Sequence, residues 1–176
     1  MDILILNFVQ CRCHNGFTDF LFPLITALGN GGAVWVVAGV CLAASKKYRR
    51  YGIMLLVSLG MTFLIINVIL QPLVARPRPF QQFPGHILLI AAPHSYSFPS
   101  GHAGSSFSSA MILLHMDRRI GILCFVFAAL VAFSRVFLFV HYPSDILAGA
   151  FIGVLSALLV IKLLEIYKTN HMKRIM

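Results

Sequence analysis

The stretch YGIMLLVSLGMTFLIINVILQPLVA, residues 51–75, holds no Asp, Glu, Lys or Arg. A helix needs about 20 mostly apolar residues to cross a bilayer, and the run from Tyr51 to Leu70 supplies them. Its Leu, Ile, Val, Met and Phe fall on every face. A soluble helix of that length would set a charged face against its apolar one. Arg49 and Arg50 precede the stretch and Arg76 follows it, so the charges stand where a membrane would end.

The pattern repeats outward in both directions. Charge-free runs also separate Asp19 from Lys46, Arg78 from Asp117, Arg119 from Arg135 and Asp145 from Lys162. Over 176 residues, 59% are apolar and 11% charged, with a net charge of +9 and a mean hydropathy of +0.88. A disordered basic tail lacks so many large aliphatic residues. Nucleic-acid binders gather basic residues into a stripe, whereas here they punctuate apolar runs, so no nucleic-acid partner is expected. The expected fold is all-α: a polytopic transmembrane helix bundle forming one domain over residues 1–176. It has five spans, near 21–44, 51–70, 101–116, 120–139 and 143–161. Residues 1–20 read as an interfacial or re-entrant helix that is too short to span. No basic segment precedes residues 1–10, so no cleaved leader is expected.

Charges predict orientation. Five spans put Lys46, Lys47, Arg49, Arg50, Arg118, Arg119, Lys162, Lys168, Lys173 and Arg174 on one side, ten of the fourteen basic residues. The positive-inside rule makes that side cytoplasmic. The opposite rim carries the segment 71–99, which with its boundaries holds six of the eight prolines. Proline breaks helices, so this segment is expected to be a loop with short structured pieces, and its apolar patch 86–91 to touch the headgroups.

That rim gathers unusual polar groups: Arg76, Arg78, Ser100, Gly101, His102, Ser134, Arg135, His141 and Asp145. Ionisable groups at membrane depth are costly, so their convergence points to function. Three arginines, two histidines and one carboxylate describe an anion site, with phosphate or diphosphate the best candidate. Arginine's planar fork grips phosphoryl oxygens, although either Arg78 or Arg135 alone could instead be snorkelling to a headgroup. Pro99-Ser100-Gly101-His102 reads as a helix start whose free amides and dipole favour an anion; an ordinary capped helix is the plainer alternative. His141 and Asp145 lie four apart. There a carboxylate can hold one imidazole nitrogen and leave the other to attack phosphorus. An N-capping Asp near a surface histidine is the bland reading.

Other polar residues have simpler explanations. Ser105, Ser106, Ser108 and Ser109 read as small-residue helix packing. His94 is near enough to Pro99 to line the site, while His14, His86, His115 and His171 lack such context. Cys11, Cys13, Cys41 and Cys124 complete no zinc set. One outward carboxylate is too few for a two-metal phosphatase. An intramembrane serine protease and an anion transporter are the rival functions.

These motifs resemble the type 2 phosphatidic acid phosphatase (PAP2) superfamily of membrane-embedded lipid phosphatases. Ser134-Arg135, His141 and Asp145 match its third motif, Pro99 to His102 its second, and Arg78-Pro79 the end of its first. The likeness covers about residues 67–155. Gln71 stands where the family has Lys, which removes a cation that Arg76 could replace. The resemblance implies His141 as nucleophile forming a phosphohistidine, Asp145 orienting it, and His102 as acid and then base. It implies phosphate binding by Arg78, Ser100, Gly101 and Arg135, with Gln71 and Arg76 as further candidates, and no metal or cofactor. The substrate would be a lipid phosphate or diphosphate entering from the bilayer. Undecaprenyl diphosphate, at an outward site in a bacterial inner membrane, fits the chain's compactness. Phosphatidylglycerophosphate, phosphatidate and lipid A 1-phosphate are the alternatives.

Overall fold

The computed structural model describes residues 1–173, with side chains as far as Ile166. The side chains of Lys168, His171 and Lys173, and all of Arg174, lie outside the described residues. Every regular element among the described residues is helical.

The first helix, α1 (Asp2–Arg12), buries Leu6 and Val9 and leaves Ile3, Leu4, Ile5 and Phe8 exposed, as an interfacial helix would. Asn15 caps α2 (Gly16–Leu28), accepting from the amides of Phe17 and Thr18. This helix breaks at Asn30–Gly32, where Gly31 and Gly32 take φ of 58° and 68°, and resumes as α3 (Ala33–Ala44). Then α4 (Arg49–Phe63) widens into a π-helical stretch, Leu64–Leu70, and runs into α5 (Gln71–Val74). Ala75, at φ 48°, ends it. The proline-rich segment that follows holds α6 (Pro79–Gln82) and little other regular structure, as expected.

The central helix, α7 (Gly101–Met116), packs against α4, against α8 (Arg118–Phe137) and against α9 (Pro143–Lys173). Small residues allow this. A Cβ on Gly153 would strike the Gly104 backbone, so α7 and α9 meet backbone to backbone. The α7 serines serve the packing: Ser106 Oγ accepts from Trp35 Nε1 at 3.1 Å, and Ser108 pairs with Ser58 at 2.5 Å.

Among the described residues, four segments are long and apolar enough to cross a membrane: Gly16–Ala44, Arg49–Gln82, Arg118–Phe137 and Pro143–Ile166. The expected count of five is therefore four by this measure. The run from 79 to 116 is uncharged, but its prolines delay the helix to Gly101 and Asp117 stops it. The 16 residues of α7 reach about 24 Å at 1.5 Å each, short of an average hydrocarbon core. A cluster of Leu6, Val9, Phe22, Val136 to Val140 and Tyr142 underlies the polar rim and fixes the turn between α8 and α9. His86 stacks on Phe139 and Leu88 and Ile90 pack on this cluster, so the patch at 86–91 covers protein as well as facing outward.

Candidate active site

The turn after α8 explains the spacing of Arg135, His141 and Asp145. Phe139 takes φ 58°, and the amides of Val140 and His141 both return to the Arg135 carbonyl, at 3.1 and 3.2 Å. The chain reverses within six residues and starts α9 at Pro143, which suits a first helical position. Arg135 and His141 are thereby folded into one place, with Asp145 in the first turn of α9.

Asp145 is completely buried and heavily solvated by protein. It accepts from Ser97 Oγ at 2.5 Å, the Tyr142 amide at 2.9 Å and Arg76 Nη1 at 2.6 Å. Its Oδ2 stands 3.4 Å from His141 Nδ1, close enough to orient the ring but short of an aligned hydrogen bond. On the other side of the ring, Nε2 lies 3.1 Å from Arg78 Nη1. Guanidinium can only donate, so Nε2 must accept and the proton sits on Nδ1, facing the carboxylate. His141 belongs to the turn between the spans. Burial lowers its pKa to about 4, helped by the charges of Arg78 and Arg135 and opposed by Asp145, so the ring is neutral at pH 7.

Arg78 is held at every donor. Its Nε and Nη2 bond the Ser95 carbonyl, Ser95 Oγ and the Tyr96 carbonyl, while Nη1 serves Val140 O at 2.7 Å as well as His141. Arg135 differs. Equally buried at 2% exposure, it donates Nη1 to Thr26 Oγ1 at 2.7 Å, yet its Nε is buried without a partner.

Both arginines line a cavity of about 440 Å³ together with Gln71, Gly101, His102 and His141. The cavity continues between α3 and α4 along Val36, Leu56, Leu59 and Phe63, which gives it a polar end and an apolar one. A second cavity of about 280 Å³ reaches His102 and Arg135 from the loop side. At the start of α7, Ser100 Oγ faces the Ala103 amide and the Ser100 amide donates to Asp145 O at 3.0 Å. Ser100 is therefore a cap behind the cavity. Gly101 and His102 carry the next amides, which have no acceptor within the helix.

Two expected residues, Arg76 and His94, are placed differently from the sequence reading. Arg76 does not border the cavity. It bridges Asp145 and Asp2, stacks over the Tyr142 ring at 3.9 Å and donates to Ser144, so it supports the carboxylate and does not replace the family's Lys as a cavity cation. Gln71 does line the cavity, with Nε2 donating to the Pro99 carbonyl at 3.0 Å. Pro93 and Ser95 border the cavity where His94 was expected. The sequence reading missed Asp2, Asn30, Asn67, Ser95 and Ser97. Asn67 lies on the π-helical stretch, a feature frequent at functional sites, and its side chain approaches Gly101 closely, where an added Cβ would come within 3.2 Å of it.

Comparison with known proteins accords with this geometry. Residues 51–167 match the model of the PAP2 superfamily. The chain is 31% identical to an undecaprenyl-diphosphatase of Sulfolobus acidocaldarius, over 97% of this chain and 79% of that one. It is 26% identical to the undecaprenyl-diphosphatase BcrC of Bacillus subtilis, over 83% and 75% respectively. The crystal structure of Aquifex aeolicus LpxE superimposes with a TM-score of 0.81 at 24% identity, covering 92% of this chain and 94% of that one. With well over half of its length matched to the family and its bundle reproduced in a solved relative, this multi-pass membrane protein belongs to the PAP2 superfamily of phosphatases.

Proposed function

We propose that the protein hydrolyses a phosphate monoester or diphosphate on a membrane lipid, with undecaprenyl diphosphate, cleaved to undecaprenyl phosphate and phosphate, as the favoured substrate. The observation that carries this reading is Arg135: a buried guanidinium with an unpartnered Nε, lining one cavity with two histidines. A tetrahedral anion supplies the acceptor that Nε lacks, and the apolar end of the cavity suits the lipid chain. Relatives named undecaprenyl-diphosphatase favour the polyprenyl substrate.

His141 Nε2 attacks the terminal phosphorus and the bond to the lipid-side oxygen breaks. His102 protonates that departing oxygen. Asp145 offsets the positive charge that forms on the His141 ring, as carboxylates do behind other catalytic histidines. Water, giving a proton to His102, then attacks the phosphohistidine, and the Nε2–P bond breaks to free inorganic phosphate. Arg135 Nε and the amides of Gly101 and His102 hold the equatorial oxygens as charge spreads over them. Arg78 joins them by moving one Nη1 bond from Nε2 to phosphoryl oxygen. This chemistry asks for no metal. The basic-residue asymmetry supports a site on the extracytoplasmic face.

Phosphate release from detergent-solubilised protein tests the reading, using undecaprenyl diphosphate, phosphatidylglycerophosphate, phosphatidate and lipid A 1-phosphate with chelator present. We expect turnover of at least one lipid, the first fastest, and near-complete loss in His141→Ala. Strict dependence on a divalent metal, or activity retained in His141→Ala, contradicts it.

A further inference from the structure

The first membrane-crossing segment is interrupted at Gly29-Asn30-Gly31-Gly32, and the function proposed above leaves that break unused. Irregular backbone at membrane depth strands polar groups and persists only where it is buried in protein or lines a cavity. Two successive residues in the left-handed region also require glycine to avoid strain. The break must therefore do something that an unbroken helix cannot.

What it does is visible at His102. The break projects Asn30 toward α7, where Asn30 Oδ1 lies 3.0 Å from His102 Nε2. Beside it, a Cβ on Gly29 would come within 3.1 Å of His102 Cδ2 and 2.8 Å of Val131 Cγ1. The His102 ring thus rests against glycine backbone on one side and is gripped at one nitrogen by an amide. Asn30 is itself exposed and also lines the loop-side cavity, so packing does not account for its choice.

We infer that Asn30 is a positioning residue for the acid–base histidine, acting through His102 and resting on the phosphatase reading. An amide oxygen accepting from Nε2–H fixes the ring's rotation. It also assigns the exchanging proton to Nδ1, which gives it to the departing lipid oxygen and recovers one from water. The amide oxygen, as a neutral acceptor, steadies the ring in both its neutral and its charged form. Gly29 keeps the space into which the ring must fit.

A positioning defect in an acid shows most where the leaving oxygen most needs a proton. The test measures single-turnover release of the leaving group from a long-chain alkyl phosphate and from 2,4-dinitrophenyl phosphate. It uses the full-length protein and the variants Asn30→Ala, Asn30→Asp and Gly29→Ala. We expect Asn30→Ala and Gly29→Ala to slow alkyl release by about 10–100-fold, part of the roughly 10²–10⁴-fold that a general acid contributes, and aryl release by less than about threefold. Asn30→Asp, which keeps an oxygen acceptor, should stay within about fivefold of wild type on both. Equal slowing of both substrates means a structural role and overturns the inference, as does an Asn30→Ala that matches wild type. If the wild type cleaves neither substrate and no lipid phosphate, the phosphatase reading itself fails and the inference with it. If Asn30→Ala does not fold, Gly29→Ala and Asn30→Asp still give the comparison.

Discussion

Arg78 and Arg135 face one cavity with equal burial but opposite states of satisfaction. Arg78 spends its donors on Ser95, Tyr96, Val140 and His141. Among the described residues, Arg135 donates to Thr26 alone, and its buried Nε has no partner. A buried polar group without a partner is expensive, and a native fold keeps one only for a reason. The comparison separates two tasks that composition makes look alike. Arg78 ties the proline-rich loop to the α8–α9 turn and holds His141 in its neutral form, so it is part of the fold. In the proposed reading Arg135 is held ready for an anion, so its cost is recovered only with substrate bound.

The sharpest way to break this contrast is to remove each arginine. Arg135→Ala should lower kcat/KM by about 10²–10³-fold, in the range seen when a transition-state donor is lost. Its melting temperature in detergent should change little, because only Thr26 loses a partner. Arg78→Ala should lose activity and also melt lower, since the buried Val140 carbonyl would be left without its donor, at about 1–3 kcal/mol before relaxation, and the loop would lose its bonds at Ser95 and Tyr96. Equal melting losses in the two variants would erase the distinction.

The pH profile sharpens the same contrast from the side of the nucleophile. Since the His141 pKa is depressed to about 4, chiefly by burial, the neutral ring proposed to attack persists as pH falls through 6.5. The acid limb of kcat/KM due to this group should lie near 4. A limb at the ordinary histidine value would show that the ring is not buried beside Arg78 and Arg135 as placed.

A smaller effect comes from restoring a cation where Gln71 stands. Gln71→Lys can keep the donation to the Pro99 carbonyl while adding charge beside Arg135. We expect KM for a lipid diphosphate to fall about 3–10-fold, with kcat altered less; an unchanged KM would mean that Arg135 already saturates the anion. The mildest change is Asp2→Asn. It weakens the Arg76 bridge behind Asp145 while sparing the cavity, and kcat should fall about 2–5-fold at constant KM.

Much of this site was legible in the chain because its motifs are local. The interval from Arg135 to Asp145 is a single turn, and the Pro99–His102 start of α7 follows from capping chemistry. What could not be read depends on contacts between distant segments. Ser95 and Ser97 lie in a proline-rich loop with no period to betray which side chains turn inward, and Asp2 meets Arg76 across 74 residues. Arg76 and Arg78 are near neighbours in sequence, yet one backs Asp145 and the other touches His141. Asn30 had a signal, an Asn-Gly-Gly break inside an apolar span, but its partner appears only once α2 and α7 are packed. For the fold, composition announced a membrane bundle, whereas the length of α7 was set by Ser100 and Asp117 at its two ends and not by the uncharged run around it.

The central claim is that His141, Arg135 and the start of α7 surround one phosphoryl group. A crystal structure of the protein with orthovanadate, the trigonal-bipyramidal mimic of phosphoryl transfer, tests it directly. The account predicts vanadium bonded to His141 Nε2, equatorial oxygens on Arg135 Nε and the Gly101 and His102 amides, and Arg78 Nη1 shifted from the ring onto the anion. Vanadate bound elsewhere, or bound there while Nε2 still accepts from Arg78 and Arg135 Nε stays unpaired, would contradict it.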